Sequence, residues 1–414
     1  MEARIAILHY SCPPVVGGVE EMIRRQAKVL KEHFHTVKVF AGDGDKFLEG
    51  CEVEINPLLS STNAEVVKAN EEARKGGRRN LEKLAERICN YLEETLADFD
   101  VLIAHNVFSM HFNLALTYAL HRLADKEIIP IIAWNHDSPY FYEDYPRYLD
   151  TEPWSILKEA NPNIHYVTIS EHRKKLFQKL YRKNVRIEVI SDGIDPKDFL
   201  KMSPLSVKVI EEMDLLKKDL LIFQPCRLHP RKNVELSIKV LRSLKEKNLN
   251  VSLIITGAHD PHDERSRDYK RRLIELANKE GVEKDIVFLA GYKLKDGSVL
   301  HADLISTMDF YLISDLLFLP SLHEGFGIPL LEAGLLRVPV LCSDIDSFKE
   351  IGKRDVEMFS LKDPPEKIAE RIVELVNRSK QGRLFRRILK EYSLESIYIK
   401  KFLPLLKNVL KGQK

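Results

Sequence analysis

Short apolar segments alternate with longer segments of helical periodicity along almost the whole chain, and this alternation restricts the possible folds most. Parallel strands need a crossover connection, usually a helix, and strands covered on both faces appear as nearly continuous apolar runs. The sequence therefore predicts an α/β protein with doubly wound parallel sheets. The predicted strands are residues 4–9, 36–41, 100–104, 128–134, 165–169, 187–190, 220–225, 251–256, 286–289, 315–319 and 338–341.

The length of 414 residues is enough for two domains, each with its own core. Turn residues at 193–196 follow a predicted strand and mark the boundary between them. We therefore expect one domain over residues 1–195 and a second over residues 196–382. Residues 383–414 carry apolar side chains at helical spacing and are predicted to form a tail that packs back on the first domain.

Composition excludes several classes of protein. A net charge of +2 provides no overall electrostatic attraction to nucleic acid. No apolar run reaches the roughly 18 residues that a membrane span requires. The five cysteines are scattered and odd in number, so neither a disulfide framework nor a zinc site is indicated. We expect reduced, buried thiols in a cytoplasmic protein.

Residues 323–334 combine two carboxylates, a turn between glycines and the start of a helix. Glu324 follows a predicted strand, and Glu332 lies in the helix that begins near Ile328. Free backbone N–H groups at a helix N-terminus favour an anion, and carboxylates can accept hydrogen bonds from sugar hydroxyls. Ligands of open parallel sheets bind at the carboxyl ends of the strands. We therefore interpret this segment as a binding site, although charged residues on a helix face are also common.

A basic loop follows another predicted strand in the same half of the chain. It contains Arg227, Arg231 and Lys232. Fixed cations at a strand end can neutralise a diphosphate and stabilise its charge as it leaves. We assign this role to Arg227 and Lys232, whereas Arg231 is ambiguous and could simply face solvent. The alternative for the whole loop is a solvated basic surface.

Gly17 and Gly18 stand between the first predicted strand and helix. Glycine permits positive φ angles and a close approach of ligand to backbone, although a tight turn alone would also explain the pair. The Gly-x-Gly-x-x-Gly pattern of dinucleotide-binding proteins is absent here, which disfavours a nicotinamide or flavin cofactor.

Several polar residues follow the central predicted strands of the first half. His136 and Asp137 come after the strand 128–134, and His105 and Asn106 come after the strand 100–104. Their position at strand ends makes them candidates for ligand contacts, although a lone histidine is more often structural. Two further candidates lie nearby, Tyr140 in an aromatic and acidic loop and Arg173 at a capped helix start.

Together these motifs resemble the family-four retaining glycosyltransferases, which have the GT-B fold. The resemblance rests on Glu324 and Glu332 with seven residues between them, on the basic loop 227–233, and on Gly17 with Gly18. It covers nearly the whole chain. It implies two Rossmann-like domains that face each other across a cleft, the first binding an acceptor and the second a nucleotide-sugar.

The resemblance also implies residue roles on the donor side. Arg227 and Lys232 would bind the diphosphate, and Glu324 would contact hydroxyls of the transferred sugar. Glu332 would bind the ribose, and the region of Tyr292 would contact the base. The backbone that would hold the sugar and phosphate belongs to Gly325, Phe326, Gly327 and Ile328.

Roles around the reaction centre follow in the same way. His136 would face the transferred sugar, so that the implied catalytic residues are His136, Arg227, Lys232 and Glu324. Gly17 and Gly18 would lie against the donor. The candidates for acceptor contacts are His105, Asn106, Asp137, Tyr140 and Arg173.

The implied reaction is transfer of mannose from GDP-mannose or of glucose from UDP-glucose to a small hydroxylated acceptor. Segments 9–20 and 133–140 resemble those of relatives that make small solutes, which suggests a glycerate glycoside or a sugar phosphate as acceptor. Since no strand-end carboxylate is an obvious nucleophile, we expect a front-face substitution rather than a double displacement. The basic loop can replace a divalent cation, which would be stimulatory at most.

The sequence leaves three alternative functions open. Basic clusters at 78–79, 174–183 and 383–387 leave open a membrane-associated lipid or polysaccharide glycosyltransferase, although each cluster alone is typical of a solvated helix face. A nucleotide-sugar 2-epimerase would share the fold but act on the donor alone. A non-catalytic protein would bind the nucleotide-sugar without turnover.

Overall fold

The computed structural model describes residues 2–181, 185–258 and 265–412. The chain forms two compact units, one of Met1–Asp195 together with Tyr392–Lys414, the other of Pro196–Glu391. Elements are labelled below in chain order.

The first unit contains a seven-stranded parallel sheet in the order β3-β2-β1-β4-β5-β6-β7. Its strands are β1 (Arg4–His9), β2 (Thr36–Ala41), β3 (Glu52–Ile55), β4 (Val101–His105), β5 (Ile131–Asn135), β6 (Ile164–Thr168) and β7 (Ile187–Val189). Its first five helices are α1 (Gly18–Glu32), α2 (Ala64–Arg74), α3 (Arg79–Thr95), α4 (Leu114–Asp125) and α5 (Glu171–Leu180).

Both faces of this sheet are buried, as the apolar strands predicted. In β1, Ile5 and Ile7 pack into one apolar cluster, whereas Ala6 and Leu8 pack into the cluster on the opposite face. This alternation follows from the two-residue period of a strand. One face is covered by α2, α3 and α4, and the other by α1 and the C-terminal tail.

The second unit contains a six-stranded parallel sheet in the order β10-β9-β8-β13-β14-β15 and a small antiparallel pair, β11-β12. Its strands are β8 (Leu220–Gln224), β9 (Val251–Ile255), β10 (Ile286–Phe288), β11 (Tyr292–Lys293), β12 (Val299–Leu300), β13 (Leu316–Leu319), β14 (Val340–Ser343) and β15 (Glu357–Phe359). Its helices are α6 (Pro196–Phe199), α7 (Pro204–Glu212), α8 (Val234–Glu246), α9 (Arg265–Glu280), α10 (Leu304–Ile313), α11 (Ile328–Leu336), α12 (Asp346–Gly352), α13 (Pro365–Arg378) and α14 (Lys380–Arg387).

The predicted doubly wound α/β class is confirmed by these two parallel sheets. All eleven predicted strands are present, with ends that differ by at most a few residues. The strands that the sequence did not predict are short and peripheral, namely β3, β11, β12 and β15.

The chain passes from the second unit back to the first at Tyr392, nine residues later than the predicted start of the tail. Residues 383–391 belong to the second unit because Arg386, in α14, forms a buried ion pair with Asp315. Beyond Tyr392, α15 (Leu394–Ile397), a stretch of wider π-type turns (Tyr398–Phe402) and α16 (Leu403–Lys411) pack on the first unit. Phe402 meets Trp134 edge to face with ring centroids 5.1 Å apart.

The expectation of buried thiols is confirmed in the described part of the chain. All five cysteines are buried and none forms a disulfide. Among residues 2–181, 185–258 and 265–412, no helix has both the length and the apolar character that crossing a membrane would require.

Candidate functional site

The second unit brings the two predicted binding loops together. β8 and β13 are neighbours in the sheet, so the loops that follow them leave the same edge. The backbone N–H of Leu322 donates a 2.8 Å hydrogen bond to the carbonyl of Arg231, which ties the loops to each other. The basic residues and Glu324 are therefore adjacent although about 90 residues separate them in sequence.

The carboxylate of Glu324 is the centre of this cluster. Lys232 and the hydroxyl of Ser321 both donate to Oε1, the latter over 2.8 Å, and Arg231 Nη1 donates to Oε2 over 2.8 Å. Burial acts to raise the pKa of Glu324, but hydrogen bonds from Lys232 and Ser321 and the charge of Lys232 outweigh it, so the pKa is lowered. Glu324 is consequently ionised at neutral pH and neutralised by two cations.

Lys232 is held in place through its own backbone. The side-chain amide of Gln224, at the end of β8, donates to the carbonyl of Lys232 over 2.9 Å. Ser237, in α8, donates to the other end of that amide over 2.7 Å. Since Gln224 and Ser237 are buried, these hydrogen bonds anchor the backbone of Lys232 to β8 and α8.

The start of α11 presents unpaired backbone donors. Within the described residues, the N–H groups of Gly325, Phe326, Gly327 and Ile328 donate to no acceptor. Gly327 adopts φ +112°, and an added Cβ there would lie 3.0 Å from the ring of Phe348. Glycine is therefore required at 327, whereas Gly325 borders open space. Such a helix start can accommodate an anion.

The side chain of Glu332, in α11, is held by a hydrogen bond from the preceding helix, α10. The hydroxyl of Tyr311, in α10, donates to Glu332 Oε2 over 2.7 Å. The ring of Tyr311 is buried and meets Phe223 edge to face at 4.8 Å. One carboxylate oxygen of Glu332 is thus held by the core, and Oε1 remains for other partners.

Two other predicted donor-side residues lie apart from this network. Arg227 is exposed and makes no hydrogen bond or ion pair with any described residue. Its charge is therefore available to an anion. Tyr292 is half-buried in β11, shortly after the end of β10, and burial raises the pKa of its hydroxyl.

In the first unit, His136 follows β5 and is held by Asn106 from the end of β4. Asn106 adopts φ +58°, and its Oδ1 accepts the backbone N–H of His136 over 2.7 Å. Asn106 thus shapes the turn that carries His136. This use involves only the side-chain oxygen, so contact of Asn106 with an acceptor stays a prediction.

Asp137 and Arg173 form a local cluster. Arg173 Nη1 lies 3.1 Å from Asp137 Oδ1, and the hydroxyl of Tyr142 donates to Asp137 Oδ2 over 2.6 Å. The guanidinium of Arg173 is therefore already paired. The hydroxyl of Tyr140 donates to the carbonyl of Leu149 over 2.5 Å, so it stabilises the aromatic loop from within.

His105 is not placed to contact an acceptor, contrary to the expectation from its strand-end position. Its side chain has no exposed surface. Its Nδ1 lies 3.0 Å from Nε2 of His136, and its Nε2 lies 2.9 Å from Oε1 of Gln26. His105 therefore packs behind His136.

The glycine pair also differs from the expectation. Neither Gly17 nor Gly18 adopts a positive φ. An added Cβ at Gly17 would overlap the carboxylate of Glu20, whereas one at Gly18 would meet nothing within 4 Å. The position of the Glu20 side chain thus explains why residue 17 is a glycine. Of the pair, only Gly18 borders open space.

The sequence interpretation missed several residues of these networks, namely Gln224, Ser237, Tyr311 and Ser321 in the second unit and Gln26 in the first. Among the described residues, no group of three or more His, Cys, Asp or Glu side chains is arranged to hold a metal ion.

Comparisons with known proteins agree with the two-unit architecture. A family model described as Glycosyltransferase Family 4 matches residues 16–198, and one described as Glycosyl transferases group 1 matches residues 208–393. The matches fall one on each unit and together leave little of the chain uncovered.

Curated relatives match over most of their length. Mannosylglucosylglycerate synthase of Petrotoga mobilis is 26% identical over 385 residues, covering 86% of each chain. The protein of the same name from Thermotoga maritima is 23% identical over 411 residues, covering 91% of each. A mannosylglucosyl-3-phosphoglycerate synthase of Petrotoga mobilis is 26% identical over 399 residues, 90% of this chain and 72% of that one. From its two family matches and its two parallel-sheet units, the chain belongs to the family-four glycosyltransferases with the GT-B fold.

Proposed function

We propose that this enzyme is a retaining glycosyltransferase that moves mannose from GDP-mannose, or glucose from UDP-glucose, to a hydroxyl of a small soluble acceptor. The observation that carries the proposal is the cluster in the second unit. There a buried carboxylate, Glu324, lies between two cations beside a helix start with unpaired N–H donors.

A nucleotide diphosphate matches the positive charges of Lys232, in this cluster, and of Arg227, earlier in the same segment after β8. Arg227 is exposed and unpaired among described residues, and Lys232 has two ammonium protons beyond the one given to Glu324. These groups and the N–H donors of 325–328 would bind the diphosphate. They would stabilise its charge as the bond to the sugar breaks, which is the largest contribution that such a site can make to catalysis.

The two carboxylates have acceptor capacity left for hydroxyl groups. An ionised carboxylate offers about four lone-pair positions. Glu324 uses three of them, on Lys232, Ser321 and Arg231, and Glu332 uses one, on Tyr311. We assign Glu324 to the transferred sugar and Glu332 to the ribose, in keeping with the motif.

The reaction that fits these residues is a front-face substitution. The acceptor hydroxyl would attack the sugar from the side on which the diphosphate leaves, and the diphosphate would take the hydroxyl proton. His136 would face the transferred sugar from the first unit. No divalent cation is needed in this scheme because Arg227 and Lys232 supply positive charge.

The acceptor class is suggested by the relatives. Two of them are named mannosylglucosylglycerate synthase and a third is named for the 3-phosphoglycerate compound. A glycerate glycoside or a sugar phosphate is therefore the acceptor we propose, and a mannosylglucosylglycerate synthase-like activity is the most specific form of the proposal.

The experiment has two stages. Thermal shift with GDP-mannose, UDP-glucose and other nucleotide-sugars should identify the donor, since a ligand at 100 times its Kd stabilises the folded state by about 2.7 kcal/mol. The donor is then incubated with candidate acceptors, and the anomeric configuration of the product is determined by NMR. Retention in a new glycoside supports the proposal.

Three other outcomes of this experiment would contradict the proposed function. An epimerised sugar formed from the donor alone would identify a 2-epimerase. Nucleotide-sugar binding without turnover on any acceptor would identify a binding protein. Transfer only to lipid acceptors in anionic vesicles would identify a membrane-associated enzyme.

A further inference from the structure

Four polar side chains of the first unit lie in a row, in the order Gln26, His105, His136 and Asp192. Gln26 Oε1, in α1, lies 2.9 Å from Nε2 of His105, and Nδ1 of His105 lies 3.0 Å from Nε2 of His136. On the far side of the His136 ring, Nδ1 lies 3.7 Å from Oδ1 of Asp192, which follows β7. Gln26, His105 and His136 are all buried, so water does not supply alternative partners.

The direction of these hydrogen bonds follows from the protonation of His105. Burial, together with the charges that His136 and His9 would carry, holds the pKa of His105 well below its ordinary value, so the ring is neutral and has a single N–H. Because the carbonyl oxygen of Gln26 can only accept, His105 donates through Nε2 and accepts through Nδ1. His136 must therefore donate through its own Nε2.

The neighbouring ionisable groups do not change the direction of these hydrogen bonds. His9, on β1, accepts no proton at neutral pH because burial lowers its pKa to about 4, and its Nδ1–H faces the carbonyl of His105 over 2.9 Å. Glu20 lies 4.0 Å from His9 and takes a hydrogen bond from Ser11 instead. Asp192 lies 3.7 Å from His136, and Asp137, next in the chain, has its carboxylate paired with Arg173.

We propose that Gln26 and His105 are positioning residues that hold His136 with Nε2–H directed into the protein, so that Nδ1, beside Asp192, is the ring nitrogen offered to the sugar. This inference rests on the proposed function, since it takes His136 as the residue that faces the transferred sugar. To that assignment it adds a fixed tautomer of the His136 ring and a second hydrogen-bond acceptor for the sugar, the carboxylate of Asp192.

Asp192 defines what Nδ1 can bind. Its Oδ1 is buried and has no hydrogen-bond partner among the described residues, and 3.7 Å is too long for a direct hydrogen bond to Nδ1. A buried acceptor without a donor is costly. In the tautomer with its N–H at Nε2, His136 has the lone pair of Nδ1 beside this carboxylate oxygen, so the two are neighbouring acceptors, and a sugar hydroxyl is a group that donates to them.

The wild-type enzyme provides a first test. In 15N spectra of protein labelled at histidine, at pH 7.5, His105 and His136 should both show the Nε2–H tautomer. An Nδ1–H tautomer at His136 would overturn the inference without any substitution.

Substitutions test the consequence for catalysis. Gln26→Leu removes the acceptor at similar volume, so His105 can reverse and His136 loses its fixed orientation. We expect kcat to fall by about 10²-fold, the order that a misplaced reacting group costs, while the Kd for the nucleotide is unchanged. Gln26→Glu keeps a hydrogen-bond acceptor for His105 and should retain most of the wild-type kcat. The acid limb of its pH–kcat profile should move to higher pH, because the new carboxylate favours the protonated form of His105.

His136→Ala separates the two proposals. If His136→Ala retains activity, the assigned role of His136 in the proposed function is wrong. If His136→Ala is inactive while Gln26→Leu has wild-type kcat and an unchanged pH profile, the positioning role is wrong and the proposed function stands. Thermal melting of each variant reports whether it folds.

Discussion

The ammonium of Lys232 donates a hydrogen bond to Oε1 of Glu324, and the two residues belong to loops that follow neighbouring strands of one sheet. This pair joins the group proposed to hold the leaving diphosphate to the group proposed to hold the transferred sugar. A change to either side chain should therefore impair both functions.

Lys232→Ala and Glu324→Ala should each reduce kcat by about 10²–10³-fold, the cost of removing one preorganised electrostatic contact. The fold should survive, because the loops remain tied by backbone hydrogen bonds. Steady-state kinetics measure the loss. Lys208→Ala, which breaks an exposed pair with Asp296, is the matched control and should have wild-type kinetics. Near-wild-type turnover of Lys232→Ala would refute the assignment.

The pH dependence of stability should reveal the ionised state of Glu324. Its pKa is lowered in the folded protein, so its contribution is complete above the unfolded value of about 4.3 and is lost as the pH falls through the folded pKa. The difference in free energy of unfolding between wild type and Glu324→Gln should be constant above about pH 5 and shrink at lower pH. Urea unfolding from pH 3 to pH 8 measures it, and a difference that grows toward low pH would contradict the pairing.

Tyr311→Phe should weaken donor binding through Glu332. The substitution removes one hydrogen bond to a carboxylate, for which we expect a loss of about 1.5–3 kcal/mol in stability. Glu332 is then free to move, so the KM for the donor should rise. Tyr269→Phe removes an equivalent 2.6 Å hydrogen bond to Glu235 between α8 and α9. This control should lose similar stability with an unchanged KM, and equal effects of the two variants on KM would exclude a specific role for Tyr311.

Arg386→Ala should destabilise the second unit. Arg386 forms a buried ion pair with Asp315, which also accepts the N–H of Leu221 over 2.7 Å. Removing one partner of a buried pair leaves an uncompensated charge and costs about 3–5 kcal/mol. Urea unfolding would detect this loss, and a cost below about 1 kcal/mol, the value typical of an exposed pair, would show that the pair is not important.

Activity should be insensitive to chelators. The proposed diphosphate site contains two cations, Arg227 and Lys232, and needs no metal bridge. Assays with and without EDTA, followed by addition of Mg²⁺ or Mn²⁺, measure the effect. Modest stimulation by a divalent cation is compatible with the scheme, whereas complete loss of activity in chelator would reverse it.

The sequence predicted the central strands because long apolar runs have few alternatives in a soluble α/β chain. It did not predict β3 or β15, whose three or four residues carry too little signal. The proximity of Lys232 and Glu324 followed from the strand-end rule, but the pairing of Arg231 with Glu324 did not, because a loop cation resembles a solvated one until its partner is known.

His105 and His136 also show what the sequence alone could not predict. His105 follows a strand just as His136 does, yet it is wholly buried and hydrogen-bonded on both nitrogens. Gln26 lies within a helix and has no local feature that distinguishes it from a solvated polar residue. Burial of such side chains depends on tertiary packing, which neither spacing nor composition records.

The return of the chain at Tyr392 has a consequence for biosynthesis. Trp134 and the apolar face of α1 are covered by residues 394–411, which emerge from the ribosome only after the whole of the second unit. The first unit therefore cannot be completed until the second has been synthesised, whereas the second unit is continuous in sequence and can fold as soon as Glu391 is free. A nascent chain halted before Tyr392 would expose that apolar face, and chaperones would be its natural partners.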